Sequence, residues 1–488
     1  MPGPAPCDYC HAAHPKKTRR SGRSSAKHRV SADAPEPAEQ SGGLPMPRRL
    51  LAIIAASFGT ALVVIDGSIA NVALPTIARD LGVSGSSAVL VVTVYQLVLV
   101  MTMLPIAALA DRLGHRTLYQ YGLILFTVTT ILCFFARSLP FLLVVRAAQA
   151  LGAAAVLSIT AVLLRSIYPP KQLGRGLGIH AVISSSASAF APTLGGLVLG
   201  VASWPWIFAA AAPFGIVSML LGRALPDPEP RERPYDFLGA MLCASTFGLI
   251  VSGIESGVHG NSPVVSAAMV LAGILIGRAF VKRELSASEP MLPIDLLAVP
   301  ALGLAALGGM LCFVSAMTLI VTIPFRLQNE YGLSPGEVGA IFAVWPLTTL
   351  ILAPLGGALS DRVSVALLCG SGSLIAAVGM LLFAFQPHDA TWLDMAWRLS
   401  LCGGGFGLFA APNARSIIAA TPVNRTAAAG GLIATNRLLG QTLGATMGAA
   451  LLAMGFGMGR APGIVAAFLM GLTMLTAISR FRGKSQSA

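Results

Sequence analysis

The sequence has few charged and few aromatic residues, and both shortages restrict the class of protein. Charged side chains make up 11% of the 488 residues, aromatic ones 7% and apolar ones 55%. A typical soluble protein has about 25% charged residues. The apolar runs are too long and too frequent for soluble domains, and the chain is rich in glycine, which lets helices pack closely in lipid. We therefore predict an all-α polytopic membrane protein.

Other missing patterns exclude further classes. The chain has no G-x-x-x-x-G-K-[ST] loop, which argues against ATP as its own energy source. Its seven cysteines are scattered and odd in number, so we expect buried free thiols and no disulfide framework. The net charge of +13 would suit a nucleic-acid partner, but the cations lie mostly in alternate loops. We predict no nucleic-acid partner, no metal site and no cofactor.

Fourteen apolar runs are each near the roughly 20 residues that a spanning helix needs. Their ranges are 50–74, 88–110, 117–136, 139–164, 177–200, 204–223, 237–256, 264–281, 301–325, 338–360, 364–386, 393–412, 427–456 and 461–479. With the N-terminus inside, the inner loops and C-terminal tail hold 19 of the 33 Lys and Arg residues and the outer loops hold 4. The positive-inside rule then places both termini in the cytoplasm of a bacterial inner membrane.

The two ends of the chain repeat each other at an offset of about 250 residues. Leu109-Ala110-Asp111-Arg112 aligns with Leu359-Ser360-Asp361-Arg362. We predict two six-helix bundles related by pseudo-two-fold symmetry, with two inserted helices between them and a substrate site between the halves. The predicted segments are a basic cytoplasmic tail (1–47), the first bundle (48–224), a linker with two spans (225–300), the second bundle (301–480) and a cytoplasmic tail (481–488).

The N-terminal tail is polar, basic and rich in proline, so we expect disorder. It contains Cys7, Cys10, His11 and His14, a spacing that matches a c-type haem attachment site or part of a metal site. Nothing else in the sequence supports either site, and we interpret the match as chance. The tail lacks the apolar region of a signal peptide, and the residues from Met46 onward have the form of a natural start.

Asp66 stands out because a carboxylate inside an apolar span costs roughly 2.5 kcal/mol or more and usually marks an ion, proton or substrate path. The alternative is a residue near a span end that reaches water. Arg146 in the fourth span lies at a matching depth, since both residues sit roughly 10–12 Å below the outer helix ends. We expect a pair, direct or through Gln149 or water. Either it carries a proton during transport or it is a static structural ion pair.

Polar residues in two loops repeat with the bundles. Asp111, Arg112 and Arg116 follow the second span, and Asp361 and Arg362 occupy the matching place in the second half. Asp111 is expected near the start of the third span, where the helix dipole favours a carboxylate. Such clusters suit a latch that holds one conformation; the alternative is a topological anchor.

Small and polar residues inside the spans give further candidates. Pro192, Gly195 and Gly196 in the fifth span suit a hinge between the halves, although glycine and proline are common in membrane helices. Asn71, Gln149, Asn436, Arg437 and Gln441 are predicted to line a substrate cavity. Arg437 and Gln441 are spaced i,i+4 and share one face. Glu255 near the outer end of the seventh span would either join a proton relay or face water.

The combined motifs resemble the major facilitator superfamily, specifically its fourteen-span drug:proton antiporters. The run from Asp66 to Pro75 resembles the first-span signature of that subfamily. Residues 107–116 resemble the loop motif of the superfamily, with Ala107 in place of Gly and His115 in place of Arg or Lys.

Two more segments extend the resemblance to about residues 48–480. Leu142 to Gly152 resembles the fourth-span motif, in which Arg146, Gln149 and Gly152 match and Ala150 replaces Gly. Gly178 to Gly196 resembles the fifth-span antiporter motif, with Ala187 and Ala191 in place of Gly.

The resemblance implies proton coupling through Asp66 and Arg146, a latch at Asp111 and Arg112, and a hinge at Pro192. The energy source would be the proton gradient. The partners would be protons, the bilayer and a small amphipathic or cationic substrate that is exported, and a monomer is the expected state. Two alternatives stay open: a transporter dedicated to one metabolite on the same fold, and a membrane sensor or enzyme.

Overall fold

A computed structural model of the chain describes residues 43–169, 172–227, 235–260, 262–287, 292, 294–422 and 425–485. Most of the predicted tail, including Cys7, Cys10, His11 and His14, lies outside these residues. Within the described ranges the regular structure is helical, and no strand occurs.

The helices follow the predicted spans closely. The first half contains α1 (Arg48–Asp80), α2 (Gly85–Leu113), α3 (His115–Phe134), α4 (Leu139–Ile167), α5 (Leu173–Val201), α6 (Pro205–Ala209) and α7 (Ala212–Leu221). The middle contains α8 (Phe237–Val258), α9 (Pro263–Ser286) and the short α10 (Ile294–Leu297). The second half contains α11 (Pro300–Asn329), α12 (Pro335–Phe342), α13 (Val344–Leu359), α14 (Val365–Ala384), α15 (Trp392–Ala419), α16 (Thr426–Ala453) and α17 (Ala461–Ser485).

Twelve helical segments among the described residues are long and apolar enough to cross a membrane. The predicted spans 393–412 and 427–456 are not among them. Both are helical, as α15 and α16 with 28 residues each, but both carry several polar side chains. The all-helical polytopic fold is confirmed, and the count of fourteen spans stays a prediction.

Two predicted spans are each broken into two helices by a proline. The span predicted at 204–223 breaks at Ala210 and Ala211, and the span predicted at 338–360 breaks at Ala343. Pro213 and Pro346 follow the breaks by two or three residues. Because proline has no N–H, it leaves the carbonyl four residues earlier without its helical partner.

The two halves are in contact where glycine residues let their backbones approach closely. Gly196 on α5 faces Gly339 on α12, and a Cβ atom added to Gly196 would lie 2.9 Å from the Cα of Gly339. Arg79 at the end of α1 donates to Gln328 on α11 at 3.5 Å. These contacts lie at the end of the bundle that carries loop 81–84, which we call the closed face. Residues 111–116 lie at the other end, which we call the open face.

The helices between the halves are fastened by ion pairs at the open face. Arg283 near the end of α9 bonds both carboxylate oxygens of Asp236, at 2.7 and 3.0 Å, just before α8. Arg425 at the start of α16 bonds Asp295 on α10. The hydrogen bonds from these arginines lower the pKa of Asp236 and the pKa of Asp295. Helix α8 packs against α2 and α16, so the inserted helices contact both halves.

Replacing Gly196 with alanine is expected to destabilise the closed face, because the new methyl group would overlap α12. Overpacking of this kind typically costs about 1–3 kcal/mol. Gly178, also on α5, is the matched control, because a Cβ there meets no atom within 4 Å. Thermal unfolding of the purified protein in detergent should show a lower midpoint for Gly196→Ala than for Gly178→Ala. Equal midpoints would show that the glycine contact does not hold the halves together.

Candidate functional site

Asp66, Arg146 and Gln149 form one hydrogen-bonded group in the first half. Arg146 Nη1 lies 2.5 Å from Asp66 Oδ2 and 2.6 Å from Gln149 Oε1. Gln149 Nε2 donates to Asp66 Oδ1 at 3.1 Å. All three side chains have 0% exposure. A buried carboxylate and a buried guanidinium thus satisfy each other, with Gln149 as an additional partner for both.

Further residues complete the shell around this group. Thr130 on α3 accepts from Gln149 at 2.8 Å, and the carbonyl of Val91 on α2 accepts from Arg146 Nε at 3.3 Å. The guanidinium carbon lies 4.2 Å from the ring centre of Tyr95 and 5.3 Å from that of Phe208. Cation–π contacts of this kind stabilise a desolvated arginine.

Close helix packing brings α3 to this group. At Gly152 on α4 a Cβ would lie 2.7 Å from the backbone nitrogen of Phe126 on α3. The absence of side chains at Gly122 and Gly152 lets the two backbones approach, which places Thr130 beside Gln149. Small residues therefore position the polar group, as expected for helices packed in lipid.

A cavity of about 700 Å³ lies between the two halves, next to the ion pair. Its lining includes Asn71 and Tyr95 from the first half and Trp345, Arg437 and Gln441 from the second. The lining continues along α5 to Val182 and along α13 to Gly357, toward the open face. Contacts between the halves close the other end. The arrangement is that of a transporter open to one side.

Tyr95 separates the cavity from the ion pair. Its ring covers Arg146 and also lines the cavity, while only 3% of the residue is exposed. Its hydroxyl oxygen is buried without a hydrogen-bond partner in the described part of the chain. The Tyr95 ring therefore lies between the Arg146 guanidinium and the cavity.

The predicted cavity residues divide into two groups. Asn71, Arg437 and Gln441 line the cavity. Gln149 is instead buried with Asp66, and Asn436 turns away from the cavity and donates to the carbonyl of Ala306 on α11 at 2.7 Å. A cavity role for Gln149 and Asn436 is not supported by their positions. Helical periodicity explains the difference, because Asn436 lies about 100° from Arg437 around α16.

The residues predicted to form a hinge lie at the junction of the halves. Pro192 lines the cavity. A Cβ at Gly195 would lie 2.8 Å from the side chain of Ile69 on α1, and Gly196 touches Gly339. This part of α5 contacts both halves, and its role as a hinge stays a prediction.

The predicted latch residues lie at two separate helix junctions at the open face. Asp111 Oδ1 is 3.3 Å from His115 Nε2, Arg112 is exposed and Arg116 is half-buried. Among the described residues, none of the second half forms an ion pair with this loop.

In the second half the matching loop joins two helices. Arg415 on α15 bonds Asp361 at 2.5 Å and Ser360 at 2.6 Å, while Arg362 is exposed. Neither loop connects the two halves in this conformation.

The expected position of Asp111 at the start of the third span is wrong. Asp111 belongs to the last turn of α2, which ends at Leu113. The next residue, Gly114, has a φ of +95°. Only glycine adopts this backbone conformation easily. The carboxylate instead reaches the start of α3 through His115.

The second half has no carboxylate at the position that matches Asp66. The repeat offset of about 250 residues leads to Ser315 or Ala316, and the Ser315 hydroxyl donates to the carbonyl of Ala466 at 2.7 Å. Arg398, the counterpart of Arg146, lies 3.7 Å from Asp394 on the same helix. The polar group around Asp66 is therefore asymmetric between the halves.

Some residues of the site could not be found from the sequence. Tyr95 and Thr130 carry no motif, and only the packing of α2 and α3 brings them to Asp66 and Arg146. Glu255 was noted as a candidate, and it is buried rather than facing water, with 7% exposure. Thr446 on α16 donates to its carboxylate at 2.6 Å, so Glu255 connects the inserted α8 to the second half.

The comparison with protein families gives a match over most of the chain. A sequence model described as Major Facilitator Superfamily matches residues 56–281 and 305–487. The match includes Asp66, Arg146 and Arg437, and it covers both halves and the inserted helices.

Proteins from several bacteria are similar to this chain over most of its length. The uncharacterized transporter YebQ of Escherichia coli is 39% identical over 83% of this chain and 90% of its own length. The riboflavin transporter RibZ of Clostridioides difficile is 28% identical over 81% of this chain and 86% of its own. The multidrug resistance protein Stp of Mycobacterium tuberculosis is 30% identical over 81% of this chain and 74% of its own.

A solved structure shares the fold. A bacterial homolog of the human lysosomal transporter Spinster, in an inward-facing and unoccupied conformation, aligns with a TM-score of 0.65. The alignment covers 90% of this chain and 98% of the other at 16% identity. At that identity the likeness concerns the fold alone.

Removing the cation from the buried pair should destabilise the protein strongly. In Arg146→Met the Asp66 carboxylate loses its countercharge, which costs about 3–5 kcal/mol for a buried pair. Arg415→Met breaks the exposed pair with Asp361, and exposed pairs contribute about 0–1 kcal/mol. Adding Asp66→Asn to Arg146→Met should recover part of the loss, since the amide carries no charge. Unfolding in detergent measures the stability of the two single variants and of the double variant. An equal loss of stability in Arg146→Met and Arg415→Met would contradict the argument.

Proposed function

The chain belongs to the Major Facilitator Superfamily, and we propose that within it the protein is a proton-coupled exporter of small amphipathic compounds that works by alternating access. It is a multi-pass membrane transporter of small molecules and not an enzyme. The bias of the cations supports a bacterial inner membrane with both termini in the cytoplasm. The open face would then face the cytoplasm.

The observation that carries the proposal is the buried Asp66–Arg146 pair behind the cavity wall. Arg146 Nη1 lies 2.5 Å from Asp66 Oδ2, and the Tyr95 ring lies between the Arg146 guanidinium and the cavity. A carboxylate at this depth is costly without a partner, so its protonation depends on whether Arg146 stays in contact. A transporter that alters this contact between two conformations would take up a proton on one side and release it on the other.

The latch loops fit the same cycle. In the conformation open at the cytoplasmic face, Asp111 and Arg112 have no ion-pair partner in the described second half. We propose that this loop engages the second half when the open face closes. The glycine contact between Gly196 and Gly339 would separate in that step.

The residues that line the cavity favour an amphipathic substrate. The cavity wall is mainly apolar and aromatic, with Asn71, Gln96 and Gln441 as neutral polar groups. The expected preference for cations is not supported, because the described lining residues include no carboxylate. Multidrug export fits the similarity to the resistance protein Stp. The second candidate is a transporter dedicated to one metabolite, which the similarity to the riboflavin transporter RibZ favours.

Asp66→Asn is expected to reduce proton-driven efflux to background while the protein still inserts, because the amide cannot bind or release a proton. Asp80→Asn is the matched control, since Asp80 lies on the same helix, is exposed and is far from the cavity. Dye efflux in everted vesicles, with and without an uncoupler, measures both. Unchanged efflux in Asp66→Asn would overturn the coupling role.

A substrate panel separates the two candidate functions. The protein is expressed in a host that lacks its own efflux pumps, and the uptake of chemically unrelated compounds into everted vesicles is compared. A multidrug exporter should move several unrelated amphipathic compounds, each in a manner sensitive to an uncoupler. Movement of a single compound class would instead favour the dedicated transporter.

A further inference from the structure

Arg437 is a charged residue in the cavity wall without a partner. It projects from α16 into the cavity, where its side chain is exposed. No other described residue gives it a hydrogen bond or an ion pair. It is also the only charged side chain among the described residues of the lining.

The other two arginines that lie away from the ends of the predicted spans are paired. Arg146 bonds Asp66, and Arg398 lies 3.7 Å from Asp394. Buried arginines near the helix ends follow the same rule, since Arg326 bonds Glu330 at 2.7 Å. A cation at membrane depth usually pairs or lines a pathway. Arg437 thus differs from these residues in facing open space that a ligand can fill.

The packing of α16 fixes the direction of this side chain. Gly440 and Gly444 pack against α11, where a Cβ at Gly440 would lie 2.7 Å from the Cβ of Phe313. That contact holds one face of α16 against α11 and turns the face with Arg437 and Gln441 toward the cavity. Gln441, one turn further on, adds an amide donor beside the guanidinium.

An aromatic wall lines the cavity in the same half. The rings of Phe313 and Phe406 are 5.4 Å apart, and those of Trp345 and Phe406 are 6.4 Å apart. All three side chains line the cavity. Flat apolar molecules stack on such rings, while the guanidinium offers a planar set of donors that matches a carboxylate, sulfonate or phosphate.

We propose that Arg437 binds the acidic group of the substrate and that the transported compounds are aromatic or apolar molecules carrying a negative charge. The proposal rests on the proposed function, since it takes the cavity as the substrate site. It replaces the expected amphipathic or cationic substrate with an amphipathic anion. The Asp66 carboxylate does not oppose it, because Arg146 and Gln149 neutralise and cover that group behind Tyr95.

Equilibrium binding of three matched probes tests the charge preference. 1-Pyrenebutyrate, its methyl ester and 1-pyrenebutylamine share one ring system and differ in charge. They are titrated against the purified full-length chain in phosphatidylcholine nanodiscs, which contain no anionic lipid. The carboxylate should bind at least about tenfold more tightly than the ester, as expected for a charge pair largely removed from water. The amine should bind most weakly.

Variants assign the preference to one residue. In Arg437→Gln the affinities for the carboxylate and the ester should differ by no more than about twofold. The affinity for the ester should stay unchanged, and this shows that the variant is folded. Arg437→Lys should keep part of the preference because it keeps the charge. Arg398→Gln, which removes an arginine outside the cavity, should keep all of it.

The outcomes separate this inference from the proposed function. Wild-type protein that binds the amine or the ester as tightly as the carboxylate overturns the inference, as does Arg437→Gln that keeps the preference. If Arg437→Gln no longer binds the ester, the test uses the wild-type protein and Arg437→Lys instead. Tighter binding of the carboxylate than of the ester in both then supports the inference, and its absence in either overturns it. Gradient-driven flux in proteoliposomes tests the proposed function independently. A binding preference without flux of any probe would support the anion site and overturn proton-coupled transport.

Discussion

Every charge inside the membrane region of this protein is subject to one constraint: away from water, it needs a partner. Asp66 meets the constraint through Arg146 and Gln149, all with 0% exposure. Leaving either charge unpaired would cost several kcal/mol. Four helices are therefore held in register, because α1, α2, α3 and α4 each contribute an atom to the same group. The pair is a structural centre of the first half, and under the proposed function it is also the group that binds and releases the proton.

The second half is built differently around the same cavity. The place of Asp66 corresponds to Ser315 or Ala316, neither of which carries a charge, and the Ser315 hydroxyl donates to a backbone carbonyl of a neighbouring helix. Its intramembrane arginine at the cavity, Arg437, has no described partner. The internal repeat is therefore visible in the helices and in the matching pairs Asp111-Arg112 and Asp361-Arg362, while the charged residues inside the spans differ between the halves. Under the proposed function, proton binding belongs to the first half and substrate charge to the second.

The sequence was sufficient for features that depend on one helix at a time. Apolar run length predicted the helices, and depth along α1 and α4 predicted that Asp66 and Arg146 could meet. Prediction from the sequence failed where it depended on which side of a helix a residue faces. Asn436 and Arg437 are neighbours in sequence, yet one bonds α11 and the other faces the cavity. Tyr95 and Thr130 were missed because a single tyrosine or threonine has no pattern until α2 and α3 are packed.

Tyr95 connects the two functions of the cavity region. Its ring lies 4.2 Å from the Arg146 guanidinium on one side and borders the substrate space on the other. Under the proposed function, a molecule that fills the cavity therefore contacts the residue that covers the proton site. With the ring in this position, Asp66 and Arg146 both have 0% exposure. If the substrate or the closing of the open face displaces Tyr95, the same carboxylate gains access to water. Under the proposed function, coupling then requires no direct contact between the substrate and Asp66, because the Tyr95 ring lies between the cavity and the Arg146 guanidinium.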